Sequence, residues 1–311
     1  MSAHIAIDIG GTRMRAASYS PTSLTPIKIN RIPSRVPGTT PQERLLGLIA
    51  SVWPDDEEIE AIGVASAGPV DHKAGIVITS PNITELNNFP LGDYLSQHLD
   101  VPVVLGNDAN LAAIGERKYG AGQGHDHLIY LTISTGIGSG VIMSGHLLTG
   151  SRGMAAELGH TSVLPDGPLC GCGQRGHLEA ISSGTAIARW VQAELDNGVP
   201  STLAKVQPVT AQTVAEAARQ GDKLAIATFE RAGTYLGRAL ADFLHIFNPS
   251  IVIFGGGVSK SVDLFIEHLR EAMEKHVISP GYIENLTITT AALGDDSGLM
   301  GALALARETK A

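Results

Sequence analysis

The stretch HIAIDIGGTRMRAASY, His4–Tyr19, contains a β-branched run, a glycine turn and a second run that can return beside the first. This pattern predicts a β-hairpin whose strands are His4–Ile9 and Met14–Tyr19. In the turn, the glycines leave backbone N–H groups uncovered and Thr12 adds a hydroxyl, so the turn could face an anion. An ordinary tight hairpin explains the same glycines, and short glycine motifs have many false positives.

The same arrangement returns farther along the chain, at residues 128–144. There the strand LIYLTIS is followed by the glycine turn STGIGSG and the strand GVIMS, which we interpret as a weak internal repeat of the opening hairpin. A third glycine turn, Gly255–Gly257, follows the apolar run IVIF. Three such turns favour phosphate binding, but neither a Walker A sequence nor GxGxxG is present, so a P-loop or Rossmann site is unsupported.

Strand and helix patterns alternate along the remainder of the chain. Before the second glycine turn they predict strands at Ile59–Ala65, Gly75–Thr79 and Val101–Leu105, and helices at Gln42–Val52, Leu91–Leu99 and after Asn110. Beyond it they predict helices at Gly184–Leu195, Thr210–Arg219, Leu224–Phe247 and Val262–His276, strands at Ile251–Phe254 and Leu286–Leu293, and a last helix from Gly298. This alternation predicts an α/β fold of two similar lobes with a cleft between them. We expect an N-terminal lobe at 1–110, completed by the C-terminal helix 298–311, and a C-terminal lobe at 111–297.

The composition excludes several classes of protein. With 311 residues, 43% of them hydrophobic and 17% charged, the chain is typical of a folded protein of about two domains. A net charge of −9 without a Lys/Arg run lacks the basic footprint of a nucleic-acid binder. The N-terminus shows no signal-peptide pattern, and no stretch of eighteen apolar residues occurs. We therefore expect a cytoplasmic protein that binds neither nucleic acid nor membrane.

A carboxylate follows the predicted strand Val101–Leu105, in the sequence LGNDAN. Either Asn107 or Asp108 would serve as the N-cap of the next helix, which explains one polar residue. The polar neighbour Asn110 is not explained in this way, and ligands bind at strand ends in α/β sheets. Asp108 is therefore a candidate general base.

Both cysteines, Cys170 and Cys172, lie in GHTSVLPDGPLCGCGQRGHLEA, Gly159–Ala180, between His160 and His177. A C-x-C pair is geometrically poor for bonding to itself, so metal binding gains by elimination. The alternative is a glycine-rich loop with incidental ligand-type residues.

Two glutamates flank this loop, Glu157 in GMAAELGH and Glu179 in GHLEA. Each could simply be a solvent-exposed charge on a helix, which is where glutamate is usually found. Their proximity in sequence to His160 and His177 favours a second interpretation, the binding of sugar hydroxyls by carboxylates.

Taken together, these motifs resemble the ROK family (repressor, open reading frame, kinase) of sugar kinases and related repressors, in the actin-like ATPase superfamily. DIGGT looks like the family's first phosphate motif, STGIGSG its second, FGGGVS its adenosine motif, NDAN its catalytic motif, and AELGH with CGCGQRGHLE its sugar and zinc signature. The resemblance covers essentially the whole chain. It implies two actin-like (ribonuclease H-like) lobes with an interdomain cleft.

The resemblance also implies roles for individual residues. Asp108 would take the proton from a sugar hydroxyl, and Asp8 would orient Mg²⁺ through water. The residues implied at the sugar are Gly68, Asn82, Asn107, Asp108, Glu157, His160 and Glu179. Those implied at ATP are Asp8, Gly10, Gly11, Thr12, Thr135, Gly136, Gly138, Gly255, Gly256 and Gly257.

The family's zinc ligands are the histidine of the GH pair and three cysteines of a CxCGxxGC loop, which correspond here to His160, Cys170, Cys172 and His177. The third cysteine is thus a histidine, which zinc accepts as readily as thiolate, and four protein ligands mark a structural Zn²⁺ site. The loop would then present His160 and Glu179 to the substrate. A further departure is Ala156, where many members carry glycine.

The activity implied is ATP-dependent phosphorylation of a hexose, with glucose to glucose 6-phosphate as the leading reaction, in a homodimer. Kinases of N-acetylmannosamine, N-acetylglucosamine or fructose remain open. A repressor of this family carries a helix-turn-helix domain before the first phosphate motif, and the seven residues before Asp8 leave no room for one. A sensor that binds sugar without phosphorylating it is the remaining alternative, against which Asp108 and the glycine turns argue.

Overall fold

Strands and helices alternate in the computed structural model, which describes residues 2–309. The strands are β1 Ser2–Ile9, β2 Arg13–Tyr19, β3 Lys28–Pro33, β4 Glu58–Ser66, β5 Val70–Asp71, β6 Ile76–Val77, β7 Val103–Asn107, β8 Leu128–Ile133, β9 Ile137–Met143, β10 His146–Leu147, β11 Ile251–Gly255 and β12 Thr287–Thr290. The α-helices are α1 Pro41–Val52, α2 Leu91–Leu99, α3 Asp108–Tyr119, α4 Glu179–Ser182, α5 Gly184–Asp196, α6 Ala211–Arg219, α7 Lys223–Phe247, α8 Ile266–His276 and α9 Ser297–Glu308. No helix within residues 2–309 is long and apolar enough to cross a membrane.

The first compact unit comprises residues 2–125, 140–156 and 291–309. Its main sheet has the strand order β3-β2-β1-β4-β7. The predicted hairpin is confirmed, because β1 and β2 pair antiparallel from His4 with Tyr19 to Ile9 with Met14. The strand β1 is buried on both faces: Ile5 and Ile7 pack in one hydrophobic cluster and Ala6 in another. A strand covered on both sides reads as a continuous apolar run, as the sequence of β1 does.

The second unit comprises residues 126–139 and 157–290. The sheet to which it contributes has the order β10-β9-β8-β11-β12, with β11 parallel to both β8 and β12. In each sheet the strand before a glycine turn lies between its hairpin partner and a parallel strand, as expected from the internal repeat. Helices α7 and α8 of this unit pack closely at Gly237. A Cβ at this position would lie only 2.1 Å from the carbonyl oxygen of Leu269, so the approach depends on glycine.

Several elements differ from the sequence prediction; for example, the predicted strand Leu286–Leu293 is limited to Thr287–Thr290, and the short elements β5, β10 and α4 were not predicted. Strand β3 was not predicted, because its exposed residues KINRIP show no apolar alternation. The predicted strand Gly75–Thr79 is limited to Ile76–Val77. The predicted helix Val262–His276 begins at Ile266, because Phe265 has non-helical angles, φ −132° and ψ −10°, and its ring packs edge-on against Phe254.

The predicted division into lobes 1–110 and 111–297 stays a prediction. Its boundary falls within α3, all of which belongs to the first unit.

Candidate functional site

Asp8, near the end of β1, is held by an arginine of the neighbouring strand. In the β1–β2 pairing Asp8 lies opposite Arg15, whose Nη2 and Nε donate to Asp8 Oδ2 at 2.7 and 3.2 Å. Burial alone would lower the pKa of Arg15, but Asp8 and Asp296 outweigh it and raise that pKa. The other carboxylate oxygen, Asp8 Oδ1, lies 3.8 Å from the position that a Cβ on Gly298 would take. Asp8 therefore has one oxygen in an ion pair and the other beside the first turn of α9.

The first glycine turn is fixed by backbone hydrogen bonds and covered by an asparagine. Gly10 N donates to Arg13 O at 3.0 Å, and the Ser34 hydroxyl donates to Gly10 O at 2.6 Å. A Cβ on Gly11 would lie 2.5 Å from Asn82 Nδ2, so a larger residue there would have to displace that side chain. The structure thus brings the predicted phosphate turn and the predicted sugar residue Asn82 into contact.

Asn107 is the N-cap of α3, as one of the two interpretations of LGNDAN predicts. Its Oδ1 accepts from the N–H groups of Ala109 and Asn110 at 3.0 and 3.1 Å, and its Nδ2 donates to Gly68 O at 3.0 Å. Gly68 has φ +93°, which favours glycine, and a Cβ there would meet Thr79 O at 2.1 Å. The cap therefore also holds the loop that carries Gly68.

Asp108 is the first residue of α3, where the helix macrodipole favours a negative charge. Its Oδ1 accepts from Ala109 N at 2.9 Å. The Asp108 carbonyl oxygen lies 3.9 Å from the Cβ position of Gly298, the same point that Asp8 Oδ1 approaches. In the first unit, Asp8 and Asp108 are thus both neighbours of the start of α9.

In the second unit, the second glycine turn contacts Glu179. Ile137 N donates to Glu179 Oε2 at 2.9 Å, and a Cβ on Gly136 would lie 2.3 Å from the same oxygen. The turn is closed by Ser134 N, which donates to Gly136 O at 2.9 Å. The Glu179 carboxylate therefore connects this turn with the start of α4.

A cavity of about 820 Å³ opens beside the second and third glycine turns. Within the third turn Gly256 has φ +81°, and Gly257, which lines the cavity, has open space where a side chain would begin. The volume falls in the range of small-molecule sites, about 300–1,000 Å³.

Several residues that line this cavity were missed by sequence reasoning. They are Thr185, Gln212, Glu216, Arg219 and Lys260. They come from α5, α6 and the segment after the third turn, and only the tertiary structure brings them together. The only local sequence signals near them are the N-cap residues of α5 and α6, Ser183 and Thr210, which mark where these two helices begin.

The four predicted metal ligands cluster in the second unit. One atom each from His160, Cys170, Cys172 and His177 lies within 4.8 Å of the others. Cys172 Sγ is 3.3 Å from His177 Nδ1, and Cys170 Sγ is 3.7 Å from His160 Nδ1. Ligand atoms around a tetrahedral zinc lie roughly 3.3–3.8 Å apart, given its bond lengths to sulfur and nitrogen. The donor set and these two distances therefore fit zinc.

Cys170 is the buried member of this cluster, with 3% of its surface exposed. Burial raises the pKa of the Cys170 thiol to about 12. A hydrogen bond from the Cys172 backbone opposes this rise, and the side chains of Cys172 and Glu179 add to it. The thiol donates to Glu179 Oε1 at 3.3 Å. Glu179 therefore contacts both the cluster and the second glycine turn.

Glu157 lies close to His160 and Glu179. Although part of the residue faces solvent, loss of water around its carboxylate raises the pKa of Glu157, His160 opposes this rise, and Glu179 adds to it. The structure thus brings together Glu157, His160 and Glu179, the second unit's predicted sugar residues. The preceding residue, Ala156, has φ +65°, a left-handed conformation that favours glycine.

Comparison with known proteins gives matches along the whole chain. The ROK family model matches residues 4–309. A glucokinase of Thermotoga maritima is 38% identical over 308 residues, which cover 98% of this chain and 97% of the relative. An N-acetylmannosamine kinase of Yersinia pseudotuberculosis is 34% identical over 307 residues, with 99% of each chain covered. The crystal structure of a ROK family glucokinase from Streptomyces griseus, in complex with glucose and AMPPNP, has a TM-score of 0.84 and 35% identity, covering 99% of this chain and all of that one.

Proposed function

The chain belongs to the ROK family, and from this membership we propose that it transfers the γ-phosphoryl group of ATP to the 6-hydroxyl of glucose. The observation that carries the proposal is the full-length similarity to glucokinases, one of them bound to glucose and AMPPNP. Phosphoryl transfer needs little covalent chemistry from the protein, so positioning and charge neutralisation account for most of the rate.

Asp108 is the general base of the proposed reaction and accepts the proton of the attacking hydroxyl. Its place at the start of α3 supports this role, because a helix N-terminus favours a carboxylate. Asn107 keeps α3 and the Gly68 loop in place. Since an amide nitrogen carries two hydrogens, Asn107 Nδ2 retains one for a sugar hydroxyl.

The remaining hydroxyls of the sugar bind to Glu157, His160 and Glu179, and Gly68 and Asn82 complete the proposed sugar residues. His160 serves two purposes through its two ring nitrogens: Nδ1 is the atom near Cys170 Sγ, which leaves Nε2 for a hydroxyl. Carboxylates accept hydrogen bonds from adjacent hydroxyls, which suits Glu157 and Glu179.

The nucleotide binds to the glycine turns. Gly10, Gly11 and Thr12 hold phosphate from the first turn, and Thr135, Gly136 and Gly138 from the second. The adenosine occupies the cavity of about 820 Å³ beside Gly255–Gly257. Mg²⁺ that accompanies ATP supplies positive charge to the phosphates, and Asp8 is the residue that orients it, since Mg²⁺ prefers oxygen ligands.

A structural zinc ion binds to His160, Cys170, Cys172 and His177. Four protein ligands leave no position for water, so this ion stabilises the loop and takes no part in the reaction. Glu179 follows the ligand His177 by two residues and binds the second glycine turn through Ile137 N, which supports a positioning role for the loop. From the family resemblance we also infer that the protein is a homodimer that works in the cytoplasm.

A kinase of N-acetylmannosamine is the second candidate, because a relative with that activity is 34% identical over 99% of the chain. A coupled assay of ADP release with ATP and Mg²⁺ separates the two, using glucose, mannose, fructose and the two N-acetylhexosamines as substrates. We expect the highest kcat/KM with glucose. A higher kcat/KM for N-acetylmannosamine would identify that sugar, and not glucose, as the substrate. Absence of ADP release with every sugar, in folded protein that still binds sugar, would identify a sensor.

A further inference from the structure

Arg15 joins Asp8 to the segment before α9. Besides its two bonds to Asp8 Oδ2, it donates from Nη1 to Asp296 Oδ1 at 2.8 Å and from Nη2 to the carbonyl oxygen of Asp295. The two ends of this bridge are far apart in sequence but belong to the same unit. The rigid, planar guanidinium can make these bonds at once because its five N–H groups point in fixed directions.

The bridge between Asp8 and Arg15 is shielded from solvent. Their side chains keep 18% and 21% of their surface exposed, whereas that of Asp296 keeps 61%. A shielded charge pair joined by two hydrogen bonds is held more firmly than an exposed pair. The firm contact is therefore the one to Asp8.

The segment that anchors Arg15 is itself fixed. Glu116, which has no exposed surface, accepts hydrogen bonds from Ala292 N, Leu293 N and the Ser297 hydroxyl, on both sides of Asp295 and Asp296. Arg15 thus links the carboxylate of Asp8 to a segment that Glu116 holds in place.

We propose that Arg15 is a positioning residue for phosphoryl transfer, which holds Oδ2 of Asp8 in the ion pair, keeps Oδ1 beside the first turn of α9 and so directs Oδ1 toward the cation that accompanies ATP. The inference rests on the proposed function. Oxygen donors suit Mg²⁺, and Arg15 engages only one of the two Asp8 oxygens, so the residues present fit such a cation.

The variant Arg15→Lys separates positioning from charge. Lysine keeps the positive charge beside Asp8, but its single ammonium group cannot reproduce the planar fork that holds Asp8, Asp296 and the Asp295 carbonyl together. A role of charge alone would leave Arg15→Lys like the wild type, whereas a positioning role would not.

The test uses two measurements, one of which needs no turnover. Mn²⁺ is titrated into protein with AMPPNP, with free Mn²⁺ followed by electron paramagnetic resonance, and kcat is measured with ATP and glucose. For Arg15→Lys we expect about three- to tenfold weaker Mn²⁺ binding and kcat lower by about tenfold or more, since small displacements of catalytic groups are costly. Affinity for glucose and Tm should stay close to those of the wild type. Asp296→Asn, which leaves the Asp8–Arg15 bonds, should show smaller losses in the same direction.

Arg31→Lys is the matched control. Arg31 lies directly opposite Arg15 on β3, on the side away from Asp8, and is exposed. The Arg31→Lys variant should bind Mn²⁺ with the wild-type affinity and have the wild-type kcat with ATP and glucose. The proposal is overturned if Arg15→Lys matches Arg31→Lys in both measurements, or if its losses extend equally to glucose affinity and Tm. Failure of the wild type to phosphorylate any hexose would instead contradict the proposed function, while the Mn²⁺ titration would still decide whether Arg15 directs Asp8 toward the cation.

Discussion

Glu116 and Ser297 are joined by a buried hydrogen bond of 2.8 Å, from the serine hydroxyl to Glu116 Oε1. Each oxygen of this carboxylate accepts two bonds: Oε1 also accepts from Leu293 N at 2.9 Å, and Oε2 accepts from Ala121 N and Ala292 N at 2.8 and 3.1 Å. Four donors therefore satisfy a buried carboxylate that connects α3 with the start of α9. Because a buried polar group without partners is costly, this site should be sensitive to substitution.

Glu116→Gln should lower the free energy of unfolding by about 2–4 kcal/mol, because the amide nitrogen cannot accept two of the four bonds. Urea unfolding followed by circular dichroism measures the change. The matched control is Glu308→Gln, an exposed glutamate of the same unit paired with Lys118, which should stay within about 0.5 kcal/mol of the wild type. A loss no larger than that of the control would show that the buried bonds contribute little.

Ala156→Gly should stabilise the protein by about 0.5–1 kcal/mol. Alanine at φ +65° is in a left-handed conformation that costs roughly 1–2 kcal/mol, and the greater freedom of glycine in the unfolded chain offsets part of the gain. The adjacent Ala155→Gly, which relieves no such conformation, should be neutral or destabilising. Thermal unfolding of both variants measures the effect. A Tm for Ala156→Gly below that of the wild type would contradict the proposal that the backbone at Ala156 is strained.

Asp222, the N-cap of α7, should make stability depend on pH in the acid range. Burial raises the pKa of Asp222, but hydrogen bonds from Ala225 N, from Thr202 through both its N and its hydroxyl, and from the Ser201 hydroxyl outweigh burial and hold the pKa below its ordinary value of 3.8. A lowered pKa in the folded state gives stability that is present above that ordinary value and is lost as the pH falls through the folded pKa.

Asp222→Asn should therefore be less stable than the wild type by about 1–2 kcal/mol at pH 7, and the difference should shrink below about pH 3.8. Urea unfolding at pH 7 and pH 3 measures both quantities. An equal difference at the two pH values would mean that the ionised carboxylate is not what the cap depends on.

His177 should be a working zinc ligand in place of the family's usual cysteine. Protein purified with zinc should contain about one zinc ion per chain by atomic emission, since the four ligands close one tetrahedral shell. Competition with a chelating dye, under reducing conditions, should rank the affinity as His177→Cys above wild type and wild type above Cys172→Ser. Equal zinc content in Cys172→Ser and the wild type would contradict the site.

Much of the fold could be predicted from local sequence. The apolar runs around DIGGT predict the first hairpin, which is confirmed, and the alternation of strands and helices predicts a mixed α/β fold, which is confirmed together with the actin-like lobes of the family. The edge strand β3 escaped prediction because it is polar and exposed. Element boundaries such as that at Phe265 depend on tertiary packing, which a local pattern does not contain.

The candidate site could be predicted where its residues stand in motifs. The glycine turns, Asp108 and the four metal ligands were found in this way, and their roles stay predictions. Arg15 and Glu116 were not found, because their partners near the start of α9 lie 281 and 181 positions away along the chain. Likewise, Gln212 and Glu216 look like an ordinary solvated helix face until the cavity is seen.

The most direct test of the proposed reaction is ³¹P nuclear magnetic resonance of a mixture of protein, ATP, Mg²⁺ and glucose, with Asp108→Asn in parallel. The wild type should convert the γ-phosphate signal into that of glucose 6-phosphate, and Asp108→Asn should do so about 10²- to 10⁴-fold more slowly because it lacks a general base. Asp93→Asn, at an exposed aspartate of α2, should match the wild type. Absence of a phosphate ester with folded, zinc-loaded wild type would contradict the account, and so would folded Asp108→Asn that forms glucose 6-phosphate at the wild-type rate.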